Sequence, residues 1–165
     1  MSKDKFQLSK ESGMHYRLGL LVGQWEGTTK TWFEPGVLAD ESPMQGTMKA
    51  VLDGRFIMHE YQGSLHGKPF EGIAIIGYSM SNEQFECAWI DSFHMGTSIM
   101  FSEGNATDKL FSVFGSYGGK ELEQKWGWRT EIEMQENNRL MITAYNISPD
   151  GEEAKATETV YNRKQ

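Results

Sequence analysis

The chain has 165 residues, of which 23 are Asp or Glu and 16 are Lys or Arg, so its formal net charge is −7. An acidic chain with scattered basic residues offers no surface for a phosphate backbone, which argues against nucleic acid as a partner. Cys87 is the one cysteine, the first residues lack the apolar stretch of a secretory signal, and no apolar run approaches the roughly 18 residues of a membrane helix. We therefore expect a cytoplasmic protein that does not associate with membranes.

One segment near the N-terminus has helical periodicity. Its apolar residues recur at i, i+4, i+7 and i+8 and so share one face of a helix. They are Met14, Leu18, Leu21 and Val22. Gly23 can adopt the left-handed conformation that ends a helix. We predict a short helix over about residues 13–22 that covers one end of the fold.

From Trp25 onward the apolar pattern changes to a period of two, which is typical of strands with one buried face. Turn-forming residues such as Asp53-Gly54 and Pro149-Asp150-Gly151 separate the segments. About ten strands are predicted, over residues 24–33, 46–53, 55–63, 70–79, 84–91, 97–103, 109–115, 125–134, 139–147 and 155–163.

Short turns between these segments favour an up-and-down meander. Ten antiparallel strands would leave long open edges unless the sheet closed on itself. We therefore predict an all-β fold in which one domain, residues 1–165, contains a closed antiparallel barrel over about residues 24–163.

The first two predicted strands are separated by a longer segment, residues 34–43, which contains Pro35-Gly36 and three acidic residues. We predict that it forms a mobile flap over the barrel mouth. Just before it, Trp32 has the parity of an outward-facing residue. If exposed, it would indicate a protein contact surface, and the chain could then form a homodimer.

Parity along a strand predicts which side chains face the barrel interior. The predicted interior residues are Phe85, Cys87, Trp89 and Asp91 in the fifth strand and Trp126, Trp128, Thr130 and Ile132 in the eighth. The third strand has apolar residues on both faces, so two alternatives stay open. They are Phe56, Met58, Glu60 and Gln62, or Arg55, Ile57, His59 and Tyr61. Trp89 and Trp128 could form the wall of a flat apolar pocket, with Cys87 as a small apolar filler.

Two carboxylates, Asp91 and Glu60, are candidates for the interior. Burial of an unpaired ion costs several kcal/mol, so an interior carboxylate needs a partner, a proton, water or a ligand. Each is therefore a candidate ligand-binding residue. The alternative is a position at the rim, where water or a backbone donor satisfies the carboxylate.

The run Asp91-Ser92-Phe93-His94 contains the residue types of a hydrolase triad, but an extended strand does not bring them together. Asp91 would point away from Ser92 and His94, whose Cβ atoms would be too far apart for a hydrogen bond. A turn near Gly96 would change this geometry. A general acid–base pair of Asp91 and His94 is the less demanding catalytic arrangement.

Metal binding is not predicted. The four histidines are His15, His59, His66 and His94. None forms the i, i+2 or i, i+4 pair that commonly binds zinc. Convergence in space of His59 or His94 with Glu60 and Asp91 is the arrangement that would change this prediction.

The order of elements resembles a known group of barrels. A helix, Gly23-x-Trp25-x-Gly27, a meander of strands and a terminal Tyr161-x-Arg163 are similar to the calycins, which include lipocalins, fatty-acid-binding proteins and nitrobindin-like haem barrels. In that group a first-strand tryptophan packs under an arginine of the last strand and closes the barrel. The resemblance implies this role for Trp25 and Arg163.

Further blocks resemble a widespread bacterial family of lipocalin-like domains of unknown function. They are Leu21-Val22-Gly23-Gln24-Trp25-Glu26-Gly27, Asp53-Gly54-Arg55-Phe56, Glu60-Tyr61-x-Gly63, Glu71-Gly72 and Trp89-Ile90-Asp91-Ser92. The likeness covers nearly the whole chain and implies a fold without an activity. The last histidine is His94, whereas nitrobindin-like proteins hold haem through a histidine near the C-terminus. Residues 34–43 stand where fatty-acid binders have a helix pair.

These observations favour a small-molecule binding barrel for a compact apolar or aromatic ligand, with no cofactor. The predicted ligand-binding residues are Glu60, Trp89, Asp91, His94 and Trp128. One alternative is an enzyme that uses the same pocket for proton transfer or hydrolysis, with Asp91 and His94 as acid and base. The other is a structural protein whose barrel is filled by its own side chains and which forms a homodimer.

Overall fold

The computed structural model describes residues 3–136 and 138–165. Within them, two short helices, α1 (Lys3–Ser12) and α2 (Met14–Gly19), precede ten strands. The strands are β1 (Gly23–Glu34), β2 (Val37–Val51), β3 (Phe56–Leu65), β4 (Lys68–Ser79), β5 (Gln84–Asp91), β6 (Met100–Gly104), β7 (Leu110–Tyr117), β8 (Trp126–Glu136), β9 (Arg139–Ile147) and β10 (Glu153–Arg163). Each strand pairs with its sequence neighbours, and β1 also pairs antiparallel with β10. The predicted closed up-and-down barrel is therefore confirmed.

The helical region differs from the single predicted helix over residues 13–22. Two segments meet at Gly13, and α2 ends at Gly19. Because α2 ends at Gly19, the residues after it do not keep the predicted helical face. Leu18 and Leu21 are fully buried in the barrel core, whereas Val22 is exposed. No helix in residues 3–136 or 138–165 combines the length and the apolar character needed to span a membrane.

The barrel closes where its first and last strands meet. Trp25 lies opposite Arg163, whose guanidinium carbon is 4.3 Å from the centre of the indole ring. Arg163 donates hydrogen bonds to the carbonyl oxygens of Leu20, at 3.0 Å, and Val22. Trp25 Nε1 donates to the carbonyl oxygen of Leu21 at 2.9 Å. These contacts tie the β1–β10 seam to the chain that follows α2.

The two ends of the barrel differ. α2 packs against β3 and β4 at the end where the odd-numbered strands begin. There Arg17 donates a hydrogen bond to the carbonyl oxygen of Leu110 at 2.7 Å, and the rings of Phe85 and Phe111 stack with centroids 4.3 Å apart. A packed core fills this end, so the opposite end, where the odd-numbered strands finish, is the mouth.

The segment predicted as a mobile flap belongs to a hairpin. β1 runs to Glu34, the chain turns at Pro35-Gly36, and β2 begins at Val37. Pro43 fits within β2 because β2 pairs with β1 at this point, while pairing with β3 begins only at the next residue. The proline and the acidic residues hide the strand alternation here, so the prediction of a flap over residues 34–43 is wrong.

Contacts between aromatic rings hold the β1–β2 hairpin over the mouth. The ring centroid of Phe33 lies 6.2 Å from that of His66 and 6.3 Å from that of Phe93. Trp32 lies on the outer wall but is only partly exposed, since the Lys155 ammonium covers its ring at 5.6 Å. Trp32 is therefore not the exposed contact surface considered from the sequence.

The exposed apolar residues of the outer wall lie on neighbouring strands elsewhere. Ile75, Ile90 and Phe101 project outward from β4, β5 and β6. Their positions in the sheet are adjacent, because Ile75 pairs with Ala88, and Ala88 pairs with Phe101. If the barrel makes a contact with another chain, this face of the wall is better suited to it than Trp32.

Candidate functional site

A cavity of about 120 Å³ lies inside the barrel. Its apolar lining includes the indoles of Trp89 and Trp128. Its hydroxyl groups come from Tyr61, Tyr161, Thr29, Ser102, Thr130, Thr157 and Thr159. Among the described residues that line it, none is Asp, Glu, Lys or Arg. The cavity therefore offers aromatic surface and uncharged hydrogen-bonding groups.

Aromatic side chains form a connected column along one side of the cavity. Trp89 and Trp128 stack with ring centroids 5.6 Å apart and an interplanar angle of 21°. Trp89 Nε1 donates a hydrogen bond to Tyr61 Oη at 2.7 Å, and the Tyr61 ring lies 4.8 Å from His59. His59 Nε2 lies 3.0 Å from Tyr161 Oη. Since Tyr161 contacts Trp25 near the helix-covered end, the column runs from the cavity floor towards the mouth.

Glu60 is separated from this cavity by the barrel wall. Its side chain is 51% exposed, and its carboxylate lies 3.5 Å from Lys49 Nζ. It borders a depression of about 650 Å³ on the outside of the barrel. The alternative that places Glu60 in the interior is wrong, because Ile57 and His59 face inward and the Glu60 carboxylate stays in water.

Asp91 occupies the end of β5, where the chain turns back. Its side chain is fully buried, and its oxygens accept hydrogen bonds from His94 Nδ1 at 2.6 Å and from the backbone N–H groups of His94 at 2.9 Å and Met95 at 2.7 Å. Burial raises the pKa of Asp91, but the hydrogen bonds and the charge of His94 outweigh it and hold the pKa below its usual value. Asp91 is thus an ionised carboxylate that organises the turn.

His94 reaches the cavity because the chain does not stay extended beyond Asp91. Its ring centroid lies 5.6 Å from Trp89 and 6.0 Å from Trp128, and it lines the cavity. An ionised carboxylate can only accept, so Nδ1 of His94 carries a proton and donates it to Asp91. Asp91 lies behind His94 and does not itself line the cavity. The bend over residues 92–95 therefore brings the predicted pair together.

A hydrolase triad is not assembled at this turn. Ser92 Oγ accepts a hydrogen bond from the backbone N–H of Glu71 at 2.9 Å, and Ser92 borders the depressions on the outer wall. In the described parts of the chain, no three His, Cys, Asp or Glu residues cluster closely enough to hold a metal ion. Ser92 is therefore not part of the Asp91–His94 pair.

Burial controls the protonation of the other titratable groups in the cavity wall. It lowers the pKa of His59 to about 3 and raises that of Cys87 to about 12. It also raises the pKa of Tyr61 and of Tyr161 above the ordinary tyrosine value. At physiological pH these four side chains are therefore uncharged.

His59, Tyr61 and Tyr161 line the cavity but are not among the ligand-binding residues predicted from the sequence. Their signal lies in the parity of the third strand, which is ambiguous, and in Gly46 on the neighbouring strand. A Cβ atom at Gly46 would lie 2.4 Å from Tyr161 Oη and 2.8 Å from His59 Nε2. The His59–Tyr161 pair therefore needs glycine at this position.

Residues 10–163 match the model of a family described as "Protein of unknown function (DUF1579)". The chain belongs to this family. The match to DUF1579 begins in α1 and ends with β10, so it covers the whole barrel. No curated protein matches the chain. The crystal structure of a protein with unknown function from the DUF3598 family of Nostoc punctiforme is similar over 92% of this chain and 99% of that chain, with 8% identity and a TM-score of 0.27.

Proposed function

We propose that this chain is a cytoplasmic barrel that binds a compact, uncharged aromatic or apolar small molecule in its interior. The observation that carries the proposal is the cavity of about 120 Å³, walled by the stacked indoles of Trp89 and Trp128. A barrel filled by its own side chains would leave no such space. A reducing compartment suits Cys87, a free thiol within the cavity wall.

The size of the cavity supports a ligand of about one aromatic ring. An engineered apolar cavity of roughly 150 Å³ in another protein binds benzene. A long acyl chain would need several times the space available here. Stacking against an indole adds to the transfer of apolar surface from water, so an aromatic ligand gains more than an aliphatic one of equal size.

Entry is proposed at the mouth, between the β1–β2 hairpin and the turn that follows β5. The Phe93 ring lies there between those of Phe33 and Phe70, with centroids 6.3 and 6.2 Å away. Rotation of these side chains would admit a ring. Asp91 holds His94 beside this entrance, so both residues act on entry and orientation.

The test is calorimetric titration of the purified protein with benzene. Ala74 lines the cavity, so Ala74→Leu should fill part of it and weaken binding about tenfold or more. The matched control is Ala88→Leu, on the outer face of the neighbouring strand, which should bind like the wild type. Absence of saturable binding to the wild type, or equal binding by Ala74→Leu, would contradict the proposal.

Native mass spectrometry of the freshly purified protein extends this test to the natural ligand. A stoichiometric adduct that is released on denaturation would give the ligand's mass. The same spectrum reports a homodimer, and a dimer that binds no benzene would favour the structural role over ligand binding.

A second candidate function is acid–base catalysis at the mouth, and the Asp91–His94 pair favours it. In its neutral form His94 donates Nδ1–H to Asp91 at 2.6 Å, and its Nε2 can then take a proton from a bound substrate or water. The test is turnover of uncharged aromatic esters that fit the cavity. Asp91→Asn should lower the rate about 100-fold, and the exposed Asp150→Asn should not. Equal rates for the two variants would exclude this function.

A further inference from the structure

We propose that the cavity selects ligands that carry a hydrogen-bond acceptor, and that the Nδ1–H of His59 donates the selecting hydrogen bond. The inference rests on the binding function proposed above and deepens it by naming the ligand's chemistry. It concerns the cavity floor, which is distinct from the Asp91–His94 pair at the mouth.

One ring nitrogen of His59, Nδ1, is available to a ligand. His59 is 93% buried, lines the cavity, and uses Nε2 for its hydrogen bond with Tyr161 at 3.0 Å. Among the described residues, every fully buried side-chain nitrogen or oxygen has a hydrogen-bond partner. Nδ1 of His59 is therefore not fully enclosed by protein atoms. The open space beside this buried ring is the cavity, so Nδ1 is directed into it.

The contact with Tyr161 determines which nitrogen of the His59 imidazole carries the proton. Tyr161 is 1% exposed, and burial raises its pKa, so the hydroxyl keeps its hydrogen. A buried hydroxyl hydrogen without an acceptor is costly, and His59 Nε2 is the acceptor within reach. Nε2 therefore accepts from Tyr161. A neutral imidazole with an accepting Nε2 carries its proton on Nδ1, which makes Nδ1–H a donor that faces the cavity.

The uncharged lining of the cavity favours an uncharged ligand. The pKa of His59 is about 3, so the donor is uncharged at physiological pH. An anionic or cationic ligand would lose its hydration in a cavity whose described lining contains no Asp, Glu, Lys or Arg. Thr29 and Thr159 hydrogen-bond to each other at 2.7 Å, so one of their two hydroxyl hydrogens is already used. The floor is therefore suited to an uncharged acceptor, such as a ring nitrogen or a carbonyl oxygen.

Pyridine and benzene form a matched pair of probes, because they differ by one ring atom. Both are titrated by calorimetry at a mildly alkaline pH at which pyridine is uncharged, into the wild type and His59→Phe. We expect the ratio of the pyridine to the benzene association constant to fall about 3- to 10-fold in His59→Phe. Comparison of ratios removes the difference in hydration between the two probes. His66→Phe, an exposed histidine at the mouth, should keep the wild-type ratio.

The outcomes separate this inference from the binding function. If neither probe binds the wild type, the binding function itself fails. If both bind and the ratio is the same in His59→Phe, binding stands and the role of His59 is refuted. Should His59→Phe not fold, histidine ¹⁵N spectra of the wild type decide. A protonated Nδ1 whose resonance moves with pyridine and not with benzene supports the inference, and a protonated Nε2 overturns it.

Discussion

Burial of His59 makes the stability of the barrel depend on pH within a defined window. Its pKa is about 3 in the folded chain because burial penalises the charged imidazolium, whereas an unfolded histidine titrates near pH 6.5. Between these two values the unfolded chain binds one more proton at this residue than the folded chain does. The free energy of unfolding therefore falls as the pH is lowered from 6.5 towards 3, and the effect is absent above that window.

The size of this loss in unfolding free energy follows from the width of the pH range over which it occurs. Each pH unit within it lowers the free energy of unfolding by about 1.4 kcal/mol. Between about pH 8 and about pH 4.5, His59 should therefore remove about 2–3 kcal/mol. That is a large share of the roughly 5–15 kcal/mol by which most domains are stable.

Urea unfolding, followed by tryptophan fluorescence at a series of pH values, measures this loss. The variant is His59→Gln, which does not titrate and whose amide can still hydrogen-bond to Tyr161. Burial also lowers the pKa of His15, but that residue is present in both proteins and cancels in the difference. We expect the wild type to lose about 2–3 kcal/mol more than His59→Gln over the same range. His66→Gln should follow the wild type.

Parallel curves for the wild type and His59→Gln would refute this reasoning. They would mean that folded His59 titrates as in the unfolded chain and that water or a charged partner reaches the ring. The uncharged cavity floor would then be wrong as well. A steeper loss in His59→Gln than in the wild type would contradict the sign of the effect.

Three further predictions concern other parts of the barrel. Arg163→Ala should lower the free energy of unfolding by about 1–3 kcal/mol in urea titrations, because it removes the cation over Trp25 and its hydrogen bonds to the chain after α2. Gly46→Ala should cost about 1–3 kcal/mol in the same assay, since its Cβ would lie 2.4 Å from Tyr161 Oη. Asp91→Asn should increase hydrogen exchange at the two backbone amides that now donate to the Asp91 carboxylate.

Each of these predictions has a control. Lys164→Ala, next to the seam residue, should unfold like the wild type, and an unchanged Arg163→Ala would contradict a closing role for Arg163. Gly119→Ala should be nearly neutral, because a Cβ atom there would meet no heavy atom within 4 Å. Unaltered exchange in Asp91→Asn would mean that the turn after β5 is held by other contacts.

The barrel was predictable because its signals are local and repeated. Alternation over many short segments and turn residues between them indicate strands, and closure follows from the cost of open edges. α1 gives little such signal, because its sequence is mostly polar and Phe6 is the large apolar side chain that it buries. The β1–β2 hairpin was missed for a related reason, since Pro43 and its acidic neighbours interrupt the alternation.

The candidate site was only partly predictable. The fifth and eighth strands have clear parity, so Trp89 and Trp128 could be assigned to the interior from the sequence. The third strand has apolar residues on both faces, and only the tertiary contact between His59 and Tyr161 decides its orientation. The approach of His94 to Asp91 depends on a chain reversal that strand periodicity does not encode.

A crystal structure of the protein soaked with benzene tests ligand binding inside the barrel most directly. We expect density for one ring inside the barrel, with the stacked indoles of Trp89 and Trp128 on one side and the floor at His59 on the other. A barrel interior that holds no ligand density at concentrations well above the solution affinity, or benzene bound only on the outer wall, would contradict it.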